Sequence, residues 1–489
     1  MFTGTLYDYQ VEDCKKLLKM GSGINASPCG LGKTVEMLAI CEYLFGAGKS
    51  ICAVIVCRHP HEWAGMIEKF TDSAYLMYKG TPVQRKKLRN YYTGQFRYIV
   101  LSYGITLQEE DILFLRELRD KSTVLIVDEA HKLKSVKSRK SKSLKGLGQL
   151  AGRRYALTAT PIWNKLDDLF GVMEWVDKDF LGMWSEFKEQ YLITNFFGKI
   201  VGYKNLDELH QNLPDRMLRR TAESAGVDLP ELIYRVYPVV PVGNHAKLLK
   251  KVTDFTLSKL TKMVDDGEWS WGMSPKDKKV LSSLSVLDQA GICPDVFDSY
   301  APEELRNLNL NCYSAKVIEC STMLSDITSF GGNVVVFCRY LGGISALYSI
   351  LRDSGHVYKS FILTGGTRHK EMVLSKFRKS CGDGGAVLLS SDVGGESLNL
   401  PEVSYTIHID VPWGAADLEQ RNSRMRRVDS KESTNIVTQL LLPGLDEYKY
   451  WLCRWKSDYA GFVMDGQEVE TEKPMLRDYL TTEFVRLPR

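Results

Sequence analysis

Ser27-Pro-Cys-Gly-Leu-Gly-Lys-Thr34 follows the short segment Gly23–Ala26 and opens an amphipathic stretch. Gly30 and Gly32 let backbone amides turn inward on an anion, and a helix N-terminus just beyond adds positive potential. Lys33 is placed to reach the outer phosphates of a nucleotide, and the Thr34 hydroxyl to ligate Mg²⁺. A glycine turn that carries Gly-Lys-Thr by coincidence would look the same, so a second segment matters. Thr123-Val-Leu-Ile-Val-Asp-Glu-Ala-His131, 95 residues on from Lys33 to Asp128, is an apolar run ending in two carboxylates. At the carboxyl end of a parallel strand, Asp128 can hold the Mg²⁺ shell and Glu129 can orient or activate the attacking water. A third set lies far downstream. Gln420, Arg424 and Arg427 fall at i, i+4 and i+7, one face of an expected helix. Arginines so placed can stabilise charge on a transferring phosphoryl group. The bland alternative for them is a basic surface helix.

These groups need a scaffold that gathers strand ends. Ser50–Cys57, Tyr98–Ser102, Thr123–Val127 and Arg154–Leu157 read as short, buried, β-branched strands, with helix-like Thr34–Phe45 and Trp63–Phe70 between them. Such alternation implies an α/β fold with helices on both faces of a parallel sheet. From Leu181 to Asn311 the chain is more polar and aromatic, with few strand signals. Ala246–Asp266 and Pro275–Gly291 read as helices. The strand pattern returns at Val334–Cys338, Phe361–Leu363, Ala386–Ser390, Tyr405–Asp410 and Ile436–Leu442. The expected layout is a nucleotide-binding lobe over residues 1–180, helical protrusions and linker over 181–310, and a second lobe with a C-terminal extension over 311–489.

The 489 residues exceed one core and fit roughly three domains. No stretch of about 18 apolar residues offers a membrane span, and the first residues lack a signal-peptide layout. Eleven cysteines without Cys-x-x-Cys spacing read as buried thiols in a reducing cytoplasm rather than disulfides or a zinc site. The net charge of +4 says little. Its distribution says more, because ten basic residues from Lys132 to Lys165 come without an acid among them. They form either a solvated face or a surface that follows a phosphate backbone.

Asp128-Glu-Ala-His131 and its surroundings resemble superfamily 2 helicases, and within them the Snf2 (Swi2/Snf2) group. Leu6-Tyr-Asp-Tyr-Gln10 is similar to the family's adenine-recognition motif, and Gly30-Leu31-Gly32-Lys33-Thr34 to its phosphate loop, although the family usually has Asp-Glu at Ser27-Pro28. Leu157-Thr-Ala-Thr-Pro-Ile-Trp-Asn164 resembles motif III. Val335–Tyr340, Leu363–Thr367, Leu389–Leu400 and Asp410–Trp413 with Gln420–Arg427 resemble motifs IV to VI. The family continues after the last arginine with Gly-Gln, where this chain has Asp429-Ser430. The resemblance implies two RecA-like parallel-sheet lobes with helical insertions between them. It implies ATP and Mg²⁺ as cofactors, with Gln10, Gly30, Leu31, Gly32, Lys33, Thr34 and Glu396 binding nucleotide. Lys33, Asp128, Glu129, Gln420, Arg424 and Arg427 would be catalytic.

The resemblance further implies translocation on double-stranded DNA, which needs backbone rather than base contacts. His59, Lys132, Lys134, Thr158, Thr160, Arg339, Thr364, Ser391 and Gly394 are the expected DNA contacts, with His61, Trp63, the run to Lys142 and Arg426 as further candidates. Trp163 and Trp413 are expected to serve packing. Compactness points to a bacterial or phage-type cytoplasmic enzyme, a monomer acting on double-stranded or branched DNA in repair or recombination. A strand-separating helicase on single-stranded DNA or RNA:DNA hybrids, and a non-catalytic DNA-binding scaffold, are the alternatives.

Overall fold

Alternate residues of the first apolar runs go to opposite faces of one sheet. In β2 (Cys52–Cys57), Val54 and Val56 enter one core layer, while Ala53, Ile55 and Cys57 enter another. β4 (Tyr98–Ser102) and β5 (Thr123–Asp128) divide their side chains in the same way. Burial on both faces requires a continuous apolar run rather than an alternating one. Each fully buried aliphatic side chain contributes about 1.5–3 kcal/mol. A computed structural model describes the whole chain except residues 119–122, 149–150, 197, 199, 271–277, 307–311, 356–358, 393–397, 427–429, 431, 470 and 482–489.

The chain divides into two units, Met1–Asp228 with Tyr459–Glu468, and Leu229–Asp458 with Val469–Arg489. The first holds a parallel sheet ordered β3 (Tyr75–Tyr78), β4, β2, β5, β6 (Arg153–Leu157), β1 (Gly23–Asn25), β9 (Met217–Leu218). The second holds a six-stranded parallel sheet. Its order is β10 (Glu231–Pro238), β15 (Thr434–Leu441), β14 (Tyr405–His408), β11 (Val334–Phe337), β13 (Val387–Ser390), β12 (Ser360–Leu363). The α/β class and the two parallel-sheet lobes match the sequence expectation.

The stretch 181–310, expected as helical protrusions and linker, contributes to both units. β7 (Leu192–Thr194) and β8 (Ile200–Tyr203) form an antiparallel hairpin, β9 joins the first sheet, and β10 pairs along its whole length with β15. β10 leaves seven of its eight residues exposed, so it lacks the apolar alternation that marks a half-buried strand. The two expected helices are present as Gly243–Asp265 and Lys278–Ile292, packed on each other in the second unit.

Nine of the eleven cysteines are buried, and among the described residues none is in a disulfide, which suits packed thiols. Among the described residues, no helix is long and apolar enough to cross a membrane.

Candidate active site

Sheet order brings the chemistry-bearing loops to one edge. β1 lies beside β6, and β6 beside β5, with Asn25 aligned to Leu157 and Leu157 to Asp128. At about 4.8 Å per strand, Asn25 and Asp128 sit about 10 Å apart. The loops after β1, β6 and β5 therefore emerge side by side at the carboxyl ends of the strands, where open α/β sheets bind ligands.

The loop after β1 turns through Gly30 (φ 92°) and Gly32 (φ 79°) into α2 (Lys33–Gly46). These left-handed conformations disfavour any residue with a Cβ. At Gly32 a Cβ would also lie 2.3 Å from the Gln10 amide nitrogen. Gln10 is buried in α1 (Asp8–Met20), and its Nε2 donates to the Leu31 carbonyl at 3.4 Å, as does the Tyr9 hydroxyl at 3.1 Å. Gln10 thus rests on the phosphate loop itself.

Lys33 Nζ donates to the Ser27 and Pro28 carbonyls at 2.6 and 3.0 Å, so the ammonium closes the loop on itself. Ser27 is buried, and among the described residues its hydroxyl has no hydrogen-bond partner. Below, Asn25 Nδ2 donates to Glu36 at 2.7 Å while its Oδ1 accepts from Ser27 N. Burial and the neighbouring Asp13 push Glu36 up to about 7. A glycine-turned loop, a lysine spending its charge on carbonyls and an orphaned buried hydroxyl fit a bound phosphate chain. Among the described residues no group of three or more His, Cys, Asp or Glu is arranged to hold a metal. An Mg²⁺ held by Thr34, Asp128 and phosphate oxygens requires no such group.

Asp128 ends β5 with every oxygen engaged. Trp63 Nε1 donates to Oδ2 at 2.8 Å, Glu129 N donates to Oδ1 at 2.9 Å, and the Tyr103 hydroxyl donates to the backbone carbonyl at 2.6 Å. Burial, then the adjacent Glu129 charge, raises the Asp128 carboxyl to about 6. Glu129 behaves oppositely. Burial would raise it, but His131, Lys33 and Lys132 outweigh that and hold it at about 2. The two adjacent carboxyls are thus shifted in opposite directions. Glu129 also takes φ 53°, a left-handed conformation uncommon outside glycine. His131 Nδ1 lies 3.3 Å from Glu129 Oε2, and its ring stacks on Trp163 with centroids 3.9 Å apart. Lys134 covers the other part of Trp163, its Nζ 5.0 Å from the ring centroid. Trp163 is buried, as expected for packing, and joins the loop after β6 to the Asp128–His131 turn.

Several expected DNA contacts are placed differently. Trp63 is buried, its indole N–H donating to Asp128. Thr158 is also buried, its hydroxyl accepting from Thr160 N at 3.2 Å while its own N–H donates to Asn25 O. It shapes the loop, and Thr160 is the more accessible of the two. His59 caps α3 (Pro60–Phe70), beside exposed His61. The basic run divides in two. Lys145 pairs with Glu174 and Lys165 with Asp167, acids lying beyond the run. Lys137, Arg139, Lys140 and Lys142 stay exposed, and Lys132 and Lys134 are half-buried.

In the second unit Gln420 lies on a helix, Ala415–Asn422, that ends before Arg424. Ser423 Oγ donates to Gln420 O, Leu400 N donates to Arg424 O, and Met425 is buried in the core, so the backbone must turn. Arg424 is buried beyond the helix end. Arg427, Gly394 and Glu396 lie outside the described residues.

The residue missed by sequence reasoning is Arg421. It is buried, donating to Asp392 at 2.7 Å and Asp410 at 3.0 Å, with its guanidinium 5.7 Å from the Phe337 ring centroid. Burial would raise Asp410, but Arg421 overrides it and holds the carboxyl at about 2. Asp410 Oδ1 also accepts from Arg339 N, while the Arg339 side chain is exposed. Two acids closing separate apolar runs were the available signal for a buried arginine. Ser391 is buried, with its N–H donating to Leu363 O, and Thr364 N donates to Thr367 Oγ1 in the loop after β12. Arg426 donates to Pro230 O, and Trp413 packs edge-on against Tyr448 within this unit.

Known proteins resemble this chain. The Saccharomyces cerevisiae nuclear protein STH1/NPS1 is 22% identical, over 96% of this chain and 35% of its own length. The human DNA annealing helicase and endonuclease ZRANB3 is 22% identical, over 92% of this chain and 40% of its own. The chain thus spans well under half the length of these relatives. The Pyrococcus furiosus Hef helicase domain superposes with a TM-score of 0.55 at 15% identity, over 92% of this chain and 98% of that domain, and so shares its fold. Residues 315–429 match the helicase conserved C-terminal domain. Residues 13–291, more than half of the chain, match the SNF2-related domain, and the chain belongs to that family.

Proposed function

We propose that the chain is a DNA-dependent ATPase that translocates along double-stranded DNA and remodels branched DNA or protein–DNA complexes. The observation that carries this reading is the convergence of the Gly30–Thr34 loop and the Asp128–Glu129 pair at the carboxyl ends of one parallel sheet. Bound Mg²⁺ and ATP would supply the electrophilic phosphoryl group. Thr34 and Asp128 would hold the ion, and Lys33 would exchange its carbonyl partners for phosphate oxygens. Glu129, kept ionised, would orient the attacking water. Gln10 would hold the loop from beneath and meet the nucleotide from the side of α1. Gln420, Arg424 and Arg427 would be catalytic, as the family resemblance implies. Glu396 would assist nucleotide binding.

Exposed Lys137, Arg139, Lys140, Lys142 and Arg339, with His59, Lys132, Lys134, Thr160, Thr364, Ser391 and Gly394, would follow the DNA backbone. The family supports a duplex track, and the name of the DNA annealing helicase ZRANB3 supports action on DNA strands that pair. The chain would act as a monomer in the cytoplasm. Third-strand displacement from a triplex, without unwinding of a tailed duplex, is the expected behaviour. Unwinding without triplex displacement would favour the strand-separating alternative, and neither activity would contradict translocation.

A further inference from the structure

β9 runs parallel to β1 at the sheet edge, with Met217 aligned to Ile24 and Leu218 to Asn25, and Ala26 N donates to Leu218 O at 2.8 Å. The next residue, Arg219, is therefore delivered to the root of the phosphate loop. Its Nη1 donates to the Ala26 carbonyl at 2.9 Å and the Ala159 carbonyl at 3.1 Å. Ala26 immediately precedes Ser27, whose carbonyl holds Lys33, and Ala159 lies within the loop between Thr158 and Trp163. The rest of the guanidinium is gripped by Asp465, with Nε to Oδ1 at 2.8 Å and Nη2 to Oδ2 at 2.7 Å.

Asp465 comes from the distant segment Tyr459–Glu468, which is anchored in the first unit. Val463 and Met464 enter its core, His210 Nδ1 lies 2.9 Å from Val463 O, and Tyr459 packs on Tyr203 at 5.3 Å. Arg220 makes a parallel connection, pairing with Asp13 at 2.5 Å on α1, the helix that carries Gln10.

We propose that Arg219 is a positioning residue of the nucleotide site, fixing the phosphate-loop root against the Thr158–Trp163 loop, and that Asp465 sets the plane of its guanidinium. The geometry demands an arginine. One planar fork binds a carboxylate with two donors and still bridges two carbonyls, which a lysine ammonium cannot reproduce. The segment Tyr459–Glu468 thereby becomes part of the nucleotide site without touching nucleotide. This inference rests on the reading of Ser27–Thr34 as a phosphate loop.

The test is Mg²⁺·ADP affinity by titration calorimetry on the full chain, with circular dichroism and thermal melting for each variant. R219K and D465A are each expected to weaken ADP binding about tenfold, the loss of one charge-assisted contact, while D465E restores it to within about twofold of the parent. If D465A does not fold, the isosteric D465N takes its place with the same expectation. Parental affinity in folded R219K and D465A, even with a lowered melting point, would reduce the cluster to a brace and overturn the proposal. An equal loss in D465E and D465A would also contradict the role given to the carboxylate. A parent chain that binds no ADP would overturn the phosphate-loop reading itself, and this inference with it, before any variant is compared.

Discussion

Two residues in the first unit show what the sequence did and did not disclose. The Gly30–Thr34 core was legible because its glycines and lysine sit in a short local pattern whose geometry is backbone-driven. Trp63 was misplaced, since its contact with Asp128 spans 65 positions and leaves no local trace. W63F keeps an aromatic ring but is smaller and removes the donor from a buried carboxylate. We expect about a tenfold loss in ATP turnover, as for outer-shell partners of metal ligands, together with a lowered melting temperature from the lost bulk. Unchanged turnover would show that the indole N–H does not orient Asp128. Two histidines of the second unit give a pH signature. Burial holds His245 at about 4, and burial with the Arg421 charge holds His408 at about 3, against 6.5 for the unperturbed ring. Both are neutral when folded and take up protons on unfolding. Their stabilisation is therefore complete above 6.5 and is lost as pH falls towards 4, by about 1.4 kcal/mol per pH unit for each histidine. Hydrogen exchange of β11 and β14, corrected for intrinsic rates, should show this slope, and replacing both histidines with Gln should flatten it.

Among the elements, strands buried on both faces were easy to read, because β2, β5 and β11 are unbroken apolar runs. β10 was not, because an edge strand with exposed side chains carries no burial pattern. The end of the helix at Asn422 was also hidden, set by Met425 packing and by Leu400 pairing with Arg424 rather than by a breaker residue. The same turn leaves Arg421 buried between Asp392 and Asp410. Replacing Arg421 with Met would strand Asp410 without its countercharge. Denaturant titration should show a loss of about 3–5 kcal/mol from the second unit. Helix Asp167–Val176 offers a test of packing against the Asp128–His131 turn. A Cβ at Gly171 would meet the Leu133 and Lys134 carbonyls at 2.7 Å. Gly171→Ala should cost about 1–3 kcal/mol, because backbone on both sides must move. A neutral effect would mean that the helix and turn separate freely.

At the scale of the molecule, two parallel sheets each gather their working loops at strand ends, and family membership accounts for that plan. What the first unit adds is an unequal pair of carboxyls, one near 6 and one near 2, produced by burial on one side and by His131 and the basic residues on the other. The ten-residue basic run contributes both to structure and to an exposed strip, a division invisible in a charge count because Glu174 and Asp167 lie outside the run. The central claim is that this site hydrolyses ATP under the control of DNA. Phosphate release by the purified chain with Mg²⁺ and ATP, compared without DNA and with duplex, single-stranded and forked DNA, tests it most directly. Hydrolysis stimulated by duplex or forked DNA and abolished in Lys33→Ala is the predicted result. No phosphate release on any DNA, or release that survives Lys33→Ala, would contradict it.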